Sequence, residues 1–204
     1  MFFLLGFYIK SKAKNLLVMT ITCFYFFNIA AELTQSTYLP TYGVFGIWHL
    51  TRKEAGILCS LYAAGSLTSR TICIFLSTKV KQINILTTCF IGLALVNLCL
   101  CIFTESHLYV LYFLVVMSGF FIGPIFAGIF IWLEQALKNH GGVTMLINAC
   151  IMTVVAVAIG IVPSVIGQFV ESQPIIIFYC VAAFTTASIL NFVLALWIAN
   201  LMEK

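Results

Sequence analysis

The chain of 204 residues is 63% hydrophobic and only 8% charged, with a mean hydropathy of +1.14, whereas soluble domains are roughly half apolar and one-quarter charged. This excludes a soluble enzyme or binding module and predicts an integral membrane protein. The net charge of +4 comes from ten Lys and Arg scattered over the ends of apolar stretches, a pattern of membrane topology that gives nucleic acid no basic patch to bind.

Residues 1–14 read as a cytoplasmic N-terminal segment or linker. Met1 to Tyr8 is apolar but too short to span, and Lys10, Lys12 and Lys14 follow it, the reverse of a signal peptide's charge order. It is either the tail of a preceding helix or an interfacial anchor. Residues 15–204 read as a six-helix transmembrane domain, because a span takes about 20 residues and apolar runs cover roughly 15–38, 54–77, 83–103, 108–137, 143–170 and 174–201. Pro40, Gly43 and Gly46 are expected to end the first span, opening a loop from Leu39 to Lys53. Runs such as Ile83 to Phe103 are continuously apolar rather than alternating, which predicts an all-α membrane bundle and sets aside a β-barrel.

Short connections make the spans run up and down in order. An even number then puts both termini on one side, with Lys10, Lys12, Lys14, Lys79, Lys81, Lys138 and Lys204 against only Arg52 and Lys53 on the other. The positive-inside rule makes that side, and both termini, cytoplasmic. No Asn-x-Ser/Thr sequon tests this orientation. The eight cysteines fall in apolar runs without metal-ligand spacing and read as small packing residues. His49 and His107 lie in outer connections and His140 in an inner one, too dispersed for a metal site.

The polar residues of the spans carry the functional signal. In the first span Asn28, Glu32 and Gln35 stand at i, i+4 and i+7, with Tyr25 and Tyr38 extending the stripe. A carboxylate in a membrane helix costs at least a few kcal/mol, so it is normally kept for a partner, an ion or a substrate. Amides and a carboxylate flanked by aromatics suit a sugar or other polyhydroxy solute, and the carboxylate could take a proton or Na⁺; pairing with a cation or amide for packing alone is the plainer reading. In the second span Tyr62, Ser66 and Arg70 repeat the four-residue spacing beside Gly65. Arg70 is expected either to snorkel or pair structurally, or to touch solute. In the fourth span Gly119 and Gly123 form a GxxxG pair followed by Pro124, which predicts either a hinge beside a cavity or a kinked packing helix. Glu134 near its cytoplasmic end is expected to anchor or pair with a loop. Gly160, Pro163 and Gly167 repeat the theme in the fifth span, while Thr185, Thr186, Ser188 and Asn191 in the sixth read as adhesion between helices. Phosphate loops, zinc-protease motifs and nucleophile elbows are all absent, and no His, Asp or Cys cluster sits near an interface, so no enzyme activity is expected.

Ala31-Glu32, Ser69-Arg70 followed by Ser77-Thr78-Lys79, and Ile122-Gly-Pro-Ile-Phe126 leading into Trp132-Leu-Glu134 together resemble the C-terminal half of a major facilitator superfamily transporter, in its sodium-dependent glucose transporter 1-like branch. The resemblance spans most of the chain. It implies two six-helix halves around a central solute site, alternating access, and a hexose such as glucose as the solute, with no cofactor beyond a coupling ion, Na⁺ or H⁺. The substrate-facing residues would be Tyr25, Asn28, Glu32 and Gln35, and gating or structural roles would fall to Arg70, Gly119, Gly123, Pro124, Trp132, Glu134 and Pro163. Ser69 stands where the family has glycine, and apolar residues around Val154 to Ala158 replace a Gly-Glu pair, which leaves the coupling ion open. A site between halves needs a second half, so the chain is expected to pair with another copy or to be a truncated product lacking its N-terminal half. The expectation is thus a secondary or facilitative transporter of the plasma membrane; the alternative is a non-transporting half-transporter or a membrane dimerisation protein.

Overall fold

The computed structural model describes the backbone of residues 2–138, 141–170 and 173–203, and the side chains of 13–138, 141–170 and 173–202. The side chains of Met1 to Lys12, and residues His140 and Lys204, lie outside the described residues. Among the described residues seven helices follow in order: α1 Phe2–Phe45, α2 Arg52–Leu76, α3 Gln82–Phe103, α4 Leu108–Ile122, α5 Ile125–Leu137, α6 Met145–Val170 and α7 Ile176–Glu203. The α4 and α5 helices together make one crossing, so the described chain has six stretches long and apolar enough to cross a membrane. Their outer surfaces agree with that. Leu67, Ile74 and Phe75 of α2, Leu95 and Leu98 of α3, and Leu190 and Trp197 of α7 are all more than half exposed, far beyond the apolar patches that water-soluble proteins tolerate. The chain is a multi-pass integral membrane protein.

The first span does not stop at Pro40. The α1 helix continues to Phe45, and α2 begins at Arg52, so the connection is much shorter than Leu39 to Lys53. A proline inside a helix leaves the carbonyl four residues earlier without its donor. That carbonyl belongs to Ser36, and the thiol of Cys59 on α2 donates to it at 3.6 Å. Thr51 then starts α2 with a reciprocal capping box to Glu54, which satisfies donors that a helix start leaves open.

Contacts across the bundle give the helix directions. Ser36 meets Cys59 and Gly43 meets Ala55, so α1 and α2 are antiparallel; Gly119 meets Tyr62 while Gly123 meets Ser66 and Ser69, so α2 and α4 are parallel. This is the up-and-down order expected of short connections. Phe24 of α1, Phe90 of α3 and Phe192 of α7 meet at the centre, with Phe90 and Phe192 ring centroids 4.9 Å apart. Trp132 of α5 closes this cluster edge-on against Phe192 at 5.7 Å. Buried Asn97 on α3 donates to Thr185 Oγ1 on α7 at 2.9 Å. Thr186, Ser188 and Asn191 bond carbonyls of their own helix instead, so of the four polar residues in the sixth span only Thr185 is seen bonding to another helix. Thr185→Val is expected to lower stability by about 1 kcal/mol or more, because it leaves the buried Asn97 amide donor without its acceptor, measured as the thermal midpoint of detergent-solubilised protein.

The paired glycines bring α2 and α4 together backbone to backbone. A Cβ on Gly119 would lie 2.1 Å from the Tyr62 carbonyl oxygen, one on Gly65 would lie 2.4 Å from that of Val116, and one on Gly123 would lie 2.7 Å from that of Ser66. Close approach of this kind is what small residues permit where no hydrophobic force drives helices together.

Candidate functional site

The polar stripe of α1 faces α2, α4 and α5. Glu32 Oε1 accepts from Arg70 Nη2 at 3.1 Å, and Arg70 Nε donates to the carbonyl of Gly123 at 3.0 Å. Arg70 thereby ties α1 and α2 to the break between α4 and α5. The break itself has a local cause: Pro124 has no amide to continue the ladder, and α5 restarts only at Ile125. A carbonyl at such a break is a ready acceptor, and a guanidinium carries enough donors to serve it and a carboxylate together.

The other members of the stripe turn inward. Tyr25 is fully buried, stacks edge-on against Phe126 at 4.9 Å and donates its hydroxyl to the Phe126 carbonyl at 3.0 Å. Gln35, also fully buried, accepts from Ser118 Oγ at 2.8 Å through Oε1. Asn28 is 2% exposed. Among the described residues the amide nitrogens of Asn28 and Gln35 and the hydroxyl of Tyr62 have no hydrogen-bond partner although buried. Tyr62 lies near enough to Glu32 and Arg70 to sense both charges. Glu32 alone of the four keeps an open side, with 21% of its side chain exposed against 52% for Arg70.

The residues expected to gate or support the site divide. Gly119 and Gly123 form the α2–α4 contact and Pro124 the helix break. Trp132 is buried, while Glu134 is exposed on α5 and makes no ion pair among the described residues. Pro163 lies inside α6, where its carbonyl accepts the Tyr38 hydroxyl, and Gly167 leaves the space that this hydroxyl fills. Tyr38 thus leaves the Glu32 centre and belongs to the α1–α6 contact. Ser118 and the Gly123 carbonyl join the site without any mark in the sequence: a single hydroxyl in an apolar run and a backbone oxygen carry no spacing signal. No group of three potential metal ligands occurs among the described residues.

The centre is therefore a carboxylate–guanidinium pair with an open side, on the same helix stripe as two buried amide donors that have no partner among the described residues. Unsatisfied buried donors cost about 1–3 kcal/mol each. No protein-family model, curated protein or solved structure matches the chain.

Proposed function

We propose that the bundle is one half of a secondary or facilitative transporter of the major facilitator type, and that the Glu32–Arg70 centre contacts a small polar solute, most readily a hexose. The carrying observation is the half-open Glu32–Arg70 pair inside a membrane span, on one helix stripe with the unpartnered amides of Asn28 and Gln35. Solute hydroxyls can donate to the open side of Glu32, and the sealed amides of Asn28 and Gln35 would join them only in a second arrangement of the bundle that uncovers α1. A proton or Na⁺ competing for Glu32 would loosen its hold on Arg70, and with it the link to Gly123 at the α4–α5 break. Coupling of an ion to a change in helix packing needs such a two-state contact.

A second half has surfaces on which to dock. Gly56, Ser60, Ala64, Thr68 and Thr71 on α2, and Ala149, Thr153, Ala156, Gly160 and Ser164 on α6, are exposed and recur at helical spacing, the small-residue pattern of membrane helix contacts. These stripes also favour the second reading, a non-transporting dimerisation protein. Uptake of labelled glucose into vesicles reconstituted with the protein separates the two. The transporter reading expects uptake above protein-free vesicles, reduced in Asn28→Ala; wild-type protein that self-associates but moves no hexose overturns it in favour of the second.

A further inference from the structure

At the end of the bundle holding the α2–α3 turn, a cavity of about 970 Å³ opens between that turn, the last turns of α5 and the end of α7. None of its lining residues belongs to the Glu32–Arg70 centre. Lys79 and Lys81 stand on one wall, Gln135 and Asn200 on the others, and Trp132 also lines it. Among the described residues no carboxylate lines the cavity, and neither lysine has an ion-pair partner. Lys81 is also the N-cap of α3, a helix start without a side-chain cap, whose first residues Gln82 and Ile83 line the same space. Two lysines and the positive end of a helix dipole thus border one space whose described lining carries no negative charge.

We propose that this cavity binds a phosphate-bearing anion, with Lys79 and Lys81 holding the phosphate and Gln135 and Asn200 the neighbouring hydroxyl or ester oxygens. Its size is at the upper end of pockets for whole small molecules, about 300–1,000 Å³, and far exceeds a bare phosphate ion. Ile131 and Leu196 give it an apolar side, along which an acyl chain could leave toward the bilayer. The anion comes either from an anionic phospholipid headgroup or from a free phosphorylated solute. The proposal does not depend on transport.

The test uses the full chain in detergent and follows its thermal midpoint. Four probes are compared: dioctanoyl phosphatidylinositol 4-phosphate, dioctanoyl phosphatidylcholine, free inositol 1,4-bisphosphate and inorganic phosphate. The expected result is a rise in midpoint with the phosphoinositide and none with phosphatidylcholine, since only a ligand that prefers the folded state stabilises it. Stabilisation by the phosphoinositide alone identifies a lipid source, and equal stabilisation by inositol bisphosphate identifies a soluble one. K79Q/K81Q is expected to weaken the apparent affinity about tenfold or more, because each basic residue near an anionic headgroup contributes substantially, while leaving the unliganded midpoint unchanged. R52Q/K53Q, at the opposite end of the bundle, is expected to bind like wild type. No shift with any phosphate probe, wild-type affinity in K79Q/K81Q, or an equal loss in R52Q/K53Q each overturns the site.

Discussion

Gly119→Leu is expected to prevent the bundle from assembling. A Cβ at this position would lie 2.1 Å from the Tyr62 carbonyl oxygen, and a backbone atom cannot rotate away as a side chain can. The α2 and α4 helices would have to separate, undoing the Gly65 and Gly123 contacts and pulling the Gly123 carbonyl from Arg70. Overpacking of a tight contact costs about 1–3 kcal/mol, occasionally more; the loss here should reach about 3 kcal/mol or beyond, because one substitution disturbs several contacts. Gly160→Ala is the matched control, since nothing lies within 4 Å of a Cβ there. Monodisperse solubilised protein and an unchanged thermal midpoint for Gly119→Leu would show that α2 and α4 do not pack as described.

The second large effect concerns Glu32. Hydrogen bonds to charged groups contribute about 1.5–3 kcal/mol, so Glu32→Gln is expected to reduce hexose uptake roughly ten- to hundredfold while costing little stability, because the amide can still accept from Arg70. Arg70→Gln should cost more stability, about 2 kcal/mol. It leaves Glu32 without its cation and loses the bond to Gly123, yet half exposure of Arg70 keeps the penalty below that of a fully buried pair. The double variant Glu32→Gln with Arg70→Gln should be more stable than the sum of the single losses, as the orphaned charge is gone. Undiminished uptake in Glu32→Gln removes Glu32 from the proposed solute site, whereas strictly additive losses argue that the ion pair adds nothing to stability.

The six crossings are legible in the amino-acid sequence because hydropathy over about 20 residues depends on composition and length, not on neighbours. Individual ends are not. Pro40 reads as a helix stop, and it becomes a mid-helix residue because a thiol from α2 serves the carbonyl it frees. The GxxxG pair and Pro124 announce close packing and a break, since both follow from the residues' own geometry. Which helix packs there is not legible: helices apolar on every side carry little periodicity to mark the packed face, and lipid is as apolar as a neighbour.

The same division runs through the candidate site. The residue types and their helical spacing put Tyr25, Asn28, Glu32 and Gln35 on one stripe, and the high cost of an intramembrane charge makes Glu32 stand out. Tertiary packing decides that Tyr25 and Gln35 bond inward to Phe126 and Ser118, that Arg70 is the partner of Glu32, and that Asn28 is left with an unused donor. A local code can place side chains on a face of their own helix. Whether that face meets a carbonyl, a guanidinium or open space depends on residues 38 to 101 positions away in the chain, and only the folded bundle brings them within bonding distance.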